Sequence, residues 1–564
     1  MRISVFFKAF CTIFIPIFVL NAQHKGKLET TNGMVVSAEP LASEVGMRIL
    51  EGGGNAIDAA VGTGFALAVT YPTAGNLGGG GFMVIRFADG RTTTIDFRER
   101  APSGSERDMY LDDSGEFIPD KSQFGATAAG VPGSPAGLLY ALKKYGTKSR
   151  NDVIAPALGL AEDGFLLRHS TATSFNSQYE YFKRYPESLE IFSKEGSQFK
   201  RGDLFIQKDL AKTLKRISDS GADGFYKGTT AELIVTTMNK YGGIMTLKDL
   251  AEYTPVERDA LVGEYKGYKI VTMPPPSSGG IAMLQMLGIL KHFDLQTEGW
   301  GSSGYLHLLI EAMKFAYADR SKHLGDADYY KVPLAELLNE NYLMGLSKRI
   351  NLDKSLPSNE VSPAIFYKES EETTHYSVMD KWGNCVSVTT TINSAYGSKL
   401  VVGGAGFLLN NEMDDFSAKP GVPNQFGLLG SEANSIVPGK RMLSSMTPTI
   451  LEKDGVPFAI IGSPGGSTII TVVLQVLLNL VEFRMPLYQA IASPRIHYQW
   501  YPDELYFERF ALSTDVKGNL TKLGHNMGSQ RMLGLVEGIV FDPNTGIMVG
   551  VSDPRGNGSA EGVK

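Results

Sequence analysis

The sequence predicts a mixed α/β fold (α+β in its segregation), with a helix-rich stretch followed by a strand-rich one. Three observations carry this. The composition of the 564 residues, 43% hydrophobic and 20% charged, is that of a soluble globular chain able to bury a large core. Residues 140–350 are mostly helical in pattern, whereas from residue 373 onward apolar and polar residues alternate in short runs. The 63 glycines have no fixed period, which excludes collagen and solenoid architectures, and the runs among them, such as 52–54 and 78–81, fall at turns.

The first segment, MRISVFFKAFCTIFIPIFVLNAQ, places Arg2 and Lys8 ahead of an apolar run from Ala9 to Leu20, with Asn21-Ala22 after it. The run is too short to span a bilayer, so residues 1–22 read as a secretory signal cut after Ala22, with Leu20 an imperfect residue at −3. An uncleaved anchor is the rival reading. No later stretch reaches about 18 uncharged apolar residues. Of the two cysteines, Cys11 lies in the signal and does not close its apolar run, which disfavours a lipoprotein site. Cys385 is then alone, and no internal disulfide is expected.

Next comes a strand and a helix over 41–51 that Gly52-Gly53-Gly54 ends, and Asn55 caps a second helix over 56–68. The run Gly78-Gly79-Gly80-Gly81 precedes the buried strand FMVIRF, which turns into TTTIDFRER. PPPSSGG at 274–280 is a rigid turn before the helix IAMLQMLGIL, and 307–325 has helical spacing closed by a glycine. The polar segment 354–372 reads as an exposed connection. A hairpin is expected about Asp380–Asn384, strands at 448–452, 457–462, 505–508, 539–541 and 547–551, and a helix after SPGGS.

A net charge of −6 and a pI near 5.9 leave no basic stripe for nucleic acid. The eight histidines are scattered, with no His-Glu-x-x-His or paired Cys/His spacing, so no metal site is expected. Walker, Gly-x-Gly-x-x-Gly and Gly-x-Ser-x-Gly patterns are missing, so no organic cofactor and no common triad is expected either.

Thr373, in EETTHYSVMD, stands just ahead of a strand pattern. A threonine there is ordinarily structural, since threonine favours strands. As the first residue of a chain, however, it would carry its own base, an α-amine with a pKa of about 7.7–8.0 beside its hydroxyl. That requires scission of the Glu372–Thr373 bond, which the same hydroxyl could begin by attacking the Glu372 carbonyl. Spacing alone does not decide between the two readings.

The blocks TTHYSVMDKWGN, TTTIN, GFLLNNEMDDFS, KPGVPNQFGLLGSEANSIVPGKRMLSSMTPTI and GSPGGSTIITVVLQ, in this order, resemble the γ-glutamyltransferase (glutathione hydrolase) family. GGGNAIDAAV, GNLGGGGFM, DFRERAP, GADGFYKG, PPPSSGG and ADRSKHLGD extend the likeness across the chain after the signal. The resemblance implies a four-layer αββα sandwich of the amino-terminal-nucleophile class. It also implies a precursor that cuts itself into a large subunit, 23–372, and a small one, 373–564, which remain together as a heterodimer.

Residue by residue, the resemblance gives Thr373 as nucleophile and Thr391 as the hydroxyl that supports it, with Gly465 and Gly466 supplying oxyanion donors. Arg98, Ser444 and Ser445 would take the α-carboxylate of a γ-glutamyl group, and Asn393, Glu412 and Asp415 its α-ammonium. Asp414 and Arg100 are the neighbours left structural. Two departures stand out. Glu412 occupies a position where some members carry Gln, and Phe426, within the loop 419–440 that resembles an active-site lid, replaces a frequent Tyr.

The expected activity is transfer of the γ-glutamyl group of glutathione and similar small compounds to water, an amino acid or a dipeptide. The alternatives are an acylase of the same fold for glutaryl-cephalosporin or poly-γ-glutamate, and a binding homologue that never cuts itself. The signal implies export, to the periplasm or beyond the cell, with no membrane association once it is removed.

Overall fold

The computed structural model describes residues 26–361, 373–419, 421–425 and 427–564. The expected signal cut, Glu372 and Phe426 lie outside these residues.

Two seven-stranded sheets form the middle of the molecule. The first runs, in spatial order, Ser559–Gly562, Gly33–Ser37, Thr374–Asp380, Cys385–Thr391, Gly80–Arg86, Thr92–Asp96 and Val256–Arg258. The second runs Lys27–Thr30, Ile547–Ser552, Glu537–Asp542, Val456–Ile461, Thr449–Lys453, Tyr268–Thr272 and Leu261–Tyr265. Every neighbouring pair in both is antiparallel.

Period-two alternation sets the layers. From the central strands, Tyr376, Val378 and Val386 point into a cluster with Val35, Ile57, Phe65 and Leu138, under the helices Pro40–Glu51 and Ala56–Thr70. Met379 and Cys385 point the other way, into a cluster with Ile450 and Ile460 of the second sheet. That cluster continues through the second sheet to Gly279–Leu290, Ser303–His323 and Thr468–Val481. The result is helix, sheet, sheet, helix, the expected αββα arrangement.

The local reasons are those the sequence suggests. Asn55 and Asp58 form a reciprocal capping box, and every residue of Ala56–Thr70 is buried, as suits a helix without a polar stripe. The hairpin closes where Asp380 Oδ1 accepts the N–H groups of Trp382 (2.9 Å) and Asn384 (3.0 Å).

Residues 140–350 are mostly helical, as their pattern suggests. The helical stretch 140–350 is interrupted by Val256–Arg258, Leu261–Tyr265 and Tyr268–Thr272. The turn Lys266-Gly267, with φ of 51° and 78°, joins the last two in the conformation that matches strand twist. The segments before and after residue 373 share both sheets. The first sheet takes four strands from before residue 373 and three from after it, and the second takes three and four.

Candidate active site

Thr373 is 5% exposed and sits at the start of the central strand Thr374–Asp380. The neighbouring strand Cys385–Thr391 pairs Thr374 with Thr390, which brings the side chain of Thr391 beside Thr373. Thr373 Oγ1 donates to Thr391 Oγ1 at 3.4 Å, and Thr391 Oγ1 also accepts the Asn393 N–H at 2.8 Å. Asn393 has a φ of 73°, and its Nδ2 donates to the Asn411 carbonyl at 2.9 Å. Opposite stands the mouth of the helix Thr468–Val481. Here Gly465 and Gly466 take φ of 132° and 54°, a region open chiefly to glycine. A Cβ at Gly465 would lie 2.4 Å from Thr468 Oγ1.

Arg98 leaves the end of the strand Thr92–Asp96 and is 1% exposed. Its guanidinium lies 2.6 Å from Glu412 Oε2, 2.5 Å from Asp415 Oδ2 and 3.5 Å from Glu99 Oε2. Burial works against its charge, and Glu412, Glu99 and Asp415 more than offset that, so Arg98 remains a cation. Burial in turn pushes Glu99 up to about 8, Glu412 well up and Asp415 up, with Arg98 opposing each rise. The residues expected at opposite ends of a ligand, Arg98 on one side and Glu412 and Asp415 on the other, are therefore in direct contact.

Ser444 and Ser445 are fixed by the PPPSSGG turn. Ser278 N and Oγ each donate to the Ser444 carbonyl at 2.7 Å, and Ser444 N donates to the Pro276 carbonyl at 2.9 Å. Arg320, near the end of the helix Ser303–His323, donates to Ser445 Oγ at 3.1 Å and to Ser278 Oγ at 2.9 Å.

The loop 419–440 covers these groups with Val422, Asn424, Leu428 and Leu429. Gln425 N donates to Asp414 Oδ2 at 2.9 Å and Asn424 Nδ2 to Asp415 Oδ1 at 3.3 Å. Asp414 is buried and also receives Ser122 Oγ at 2.5 Å, so it ties the loop down. The free space under the loop is about 30 Å³, well below that of a ligand pocket.

A profile described as Gamma-glutamyltranspeptidase matches residues 42–563. The chain belongs to the γ-glutamyltranspeptidase family. It is 48% identical over 525 residues to a glutathione hydrolase proenzyme of Escherichia coli (strain K12), covering 93% of this chain and 90% of that one. Among solved structures, a cephalosporin acylase from Bacillus halodurans superposes with a TM-score of 0.86 at 26% identity, covering 98% of this chain and all of that one. A Helicobacter pylori γ-glutamyltranspeptidase chain is 48% identical with a TM-score of 0.59, covering 59% of this chain and 96% of that one.

In this γ-glutamyltranspeptidase fold, Thr373, Thr391, Arg98, Asn393, Glu412, Asp415, Ser444, Ser445 and Gly466 line one cavity, and Gly465 lines the space beside it. Arg100 stands apart, donating to the Gly439 carbonyl at 3.0 Å.

Sequence reasoning missed two contributors. Glu99 is fully buried, and neither carboxylate oxygen has a hydrogen-bond partner among the described residues. Arg320 lines the cavity as well. Its signal was present, because Met313, Tyr317 and Arg320 follow the helical stripe at i, i+4 and i+7, and all three are buried.

One cluster of metal-binding residue types occurs among the described residues. His307, Glu311 and His525 have potential ligand atoms within 4.8 Å of one another. They are engaged already, His307 Nδ1 with His525 Nε2 at 2.7 Å and Glu311 with the Lys314 ammonium at 2.8 Å. No helix among the described residues is long and apolar enough to cross a membrane.

Proposed function

We propose that this γ-glutamyltranspeptidase-family protein is a self-processing γ-glutamyl hydrolase and transferase acting on glutathione and related γ-glutamyl compounds. The observation that carries the reading is one cavity in which Thr373 faces a buried Arg98 flanked by Asp415 and Glu412. Such a cluster offers both signs of charge, as an α-amino acid head group requires.

Scission of the Glu372–Thr373 bond gives subunits 23–372 and 373–564, and frees the Thr373 amine to act as base. The Thr373 hydroxyl attacks the γ-amide carbon, held in place by the Thr391 hydroxyl. Arg98, Ser444 and Ser445 hold the α-carboxylate, while Asn393, Glu412 and Asp415 hold the α-ammonium. Peptide N–H groups at Gly465 and Gly466 take the developing oxyanion, the amine departs, and water or an amino acid or dipeptide opens the ester. No step draws on a metal or organic cofactor. The amino-terminal signal directs export to the periplasm.

Electrophoresis and amino-terminal sequencing test this. The wild type gives two fragments, the smaller starting Thr-Thr-His-Tyr, and releases anilide from a γ-glutamyl anilide, whereas Thr373→Ala gives one inactive chain. Two fragments from Thr373→Ala overturn the assignment. The acylase reading is favoured by the Bacillus halodurans likeness and opposed by its lower identity, 26% against 48%. Turnover of glutaryl-cephalosporin without turnover of the anilide would select it.

A further inference from the structure

A second cavity, of about 290 Å³, also reaches Thr373. The two share that residue, and the turn 464–466 divides them, with Gly466 facing the first and Pro464 and Gly465 the second. The second is lined in part by Tyr71, Thr73, Ser170, Met532, Arg168 and Arg555, and among the described residues no carboxylate side chain lines it.

Its two cations are not equivalent. Arg555 spends its donors on Glu508, Asp553 and the carbonyls of Ile491, Ala492 and Ser493. Arg168 keeps its side chain 40% exposed, and donates to the Asn557 carbonyl at 3.0 Å and to Glu39 Oε1. The negative charge of Glu39 is shared, because its other oxygen accepts the helix N–H groups of Leu41 (2.8 Å) and Ala42 (3.3 Å). Arg168 is thus the accessible positive charge in a cavity that ends at the nucleophile.

Resting on the function proposed above, we infer that this cavity is the leaving-group and acceptor site, and that Arg168 binds the carboxylate of an amino acid or short peptide there. An acyl carbon on Thr373 has its γ-glutamyl arm on one side and its amide nitrogen on another. In the first step the Thr373 Oγ–C bond forms and the C–N bond breaks, and the leaving amine takes up the hydroxyl proton. In the second step an acceptor amine attacks the same carbon, the C–O bond to Thr373 breaks, and one amine proton returns to the threonine. By microscopic reversibility the incoming amine occupies the place the first one left. A peptide whose amine is at Thr373 presents its carboxylate farther along the cavity, where a cation belongs.

The test compares transfer to glycylglycine with transfer to glycylglycinamide, using a γ-glutamyl anilide donor, in the wild type, Arg168→Met and Arg168→Lys. The wild type is expected to use the free-acid acceptor about tenfold more efficiently in kcat/KM, through KM, as about 1.4 kcal/mol of charge pairing would give. Arg168→Met removes the preference and Arg168→Lys keeps part of it. Equal use of both acceptors by the wild type, or a full preference in Arg168→Met, overturns the assignment. If Arg168→Met does not fold, the wild type and Arg168→Lys still decide. Hydrolysis of the donor without acceptor reports separately on the underlying function, and its absence in the wild type would refute that function rather than this site.

Discussion

Replacing Arg98 with Gln tests the charge arithmetic of the site. The guanidinium is 1% exposed and contacts Glu412 at 2.6 Å and Asp415 at 2.5 Å, with Glu99 at 3.5 Å. Removing one partner of a buried pair costs about 3–5 kcal/mol, and here three carboxyl groups lose the same partner. An incoming α-carboxylate also loses a charged partner worth about 2–5 kcal/mol, or roughly 30-fold to several-thousand-fold in kcat/KM, chiefly through KM.

The stability cost must depend on pH. Burial already holds Glu99, Glu412 and Asp415 above ordinary carboxylate values, and Arg98 pulls each one down. Without Arg98 they rise further. An acid that binds its proton more tightly when folded loses stability as pH climbs from its unfolded value through its folded one. For each carboxyl the deficit of Arg98→Gln therefore widens only above that group's folded value in the wild type, which for Glu99 is about 8, by about 1.4 kcal/mol per pH unit for each proton involved. Urea unfolding at pH 5, 6.5, 8 and 9.5, on a Thr373→Ala background to keep the chain in one piece, measures this. A deficit independent of pH, or an unchanged KM in the processed enzyme, refutes the reasoning.

Thr391→Val removes the hydroxyl that receives both Thr373 Oγ1 and the Asn393 N–H, so kcat should fall at least tenfold while Thr391→Ser retains most of it. Equal losses in both variants would mean that the methyl group matters instead. Gly462→Ala would place a Cβ 2.3 Å from the His375 ring, and thermal unfolding should show a loss of about 1–3 kcal/mol or more. Burial pushes His375, His497 and His525 down to about 3, so each stays neutral in the folded chain. Stability should accordingly fall as pH drops below about 6.5, by about 1.4 kcal/mol per pH unit per histidine. His375→Gln should reduce that slope by one proton, and an unaltered slope would contradict its burial as a neutral ring.

The ends of elements were legible because short-range chemistry writes them. Asn55 with Asp58, the Gly52–Gly54 stop and the Asp380 turn each act within a few residues. The sheet order was not, because Gly33–Ser37 and Ser559–Gly562 meet only after the chain has travelled its full length. The strand pair around Lys266-Gly267 was legible in principle. Leu261 and Tyr265 are buried while Val262 and Glu264 are exposed, a period-two pattern submerged in a helical neighbourhood. At the site, resemblance to a family supplied positions whose convergence no local rule could give. What it left out were roles for Glu99 and Arg320, which lie inside the matching blocks DFRERAP and ADRSKHLGD but act on other side chains.

The two sheets draw alternately on segments from either side of residue 373, so a cut there would leave neither piece with a complete sheet. Folding has to precede the cut, since only the intact chain can recruit all fourteen strands as a first-order process. Once nicked, the protein would be durable by virtue of slow unfolding alone. Its pieces, if ever parted, would have to find each other again at a rate set by their concentration, with exposed strand edges meanwhile inviting aggregation.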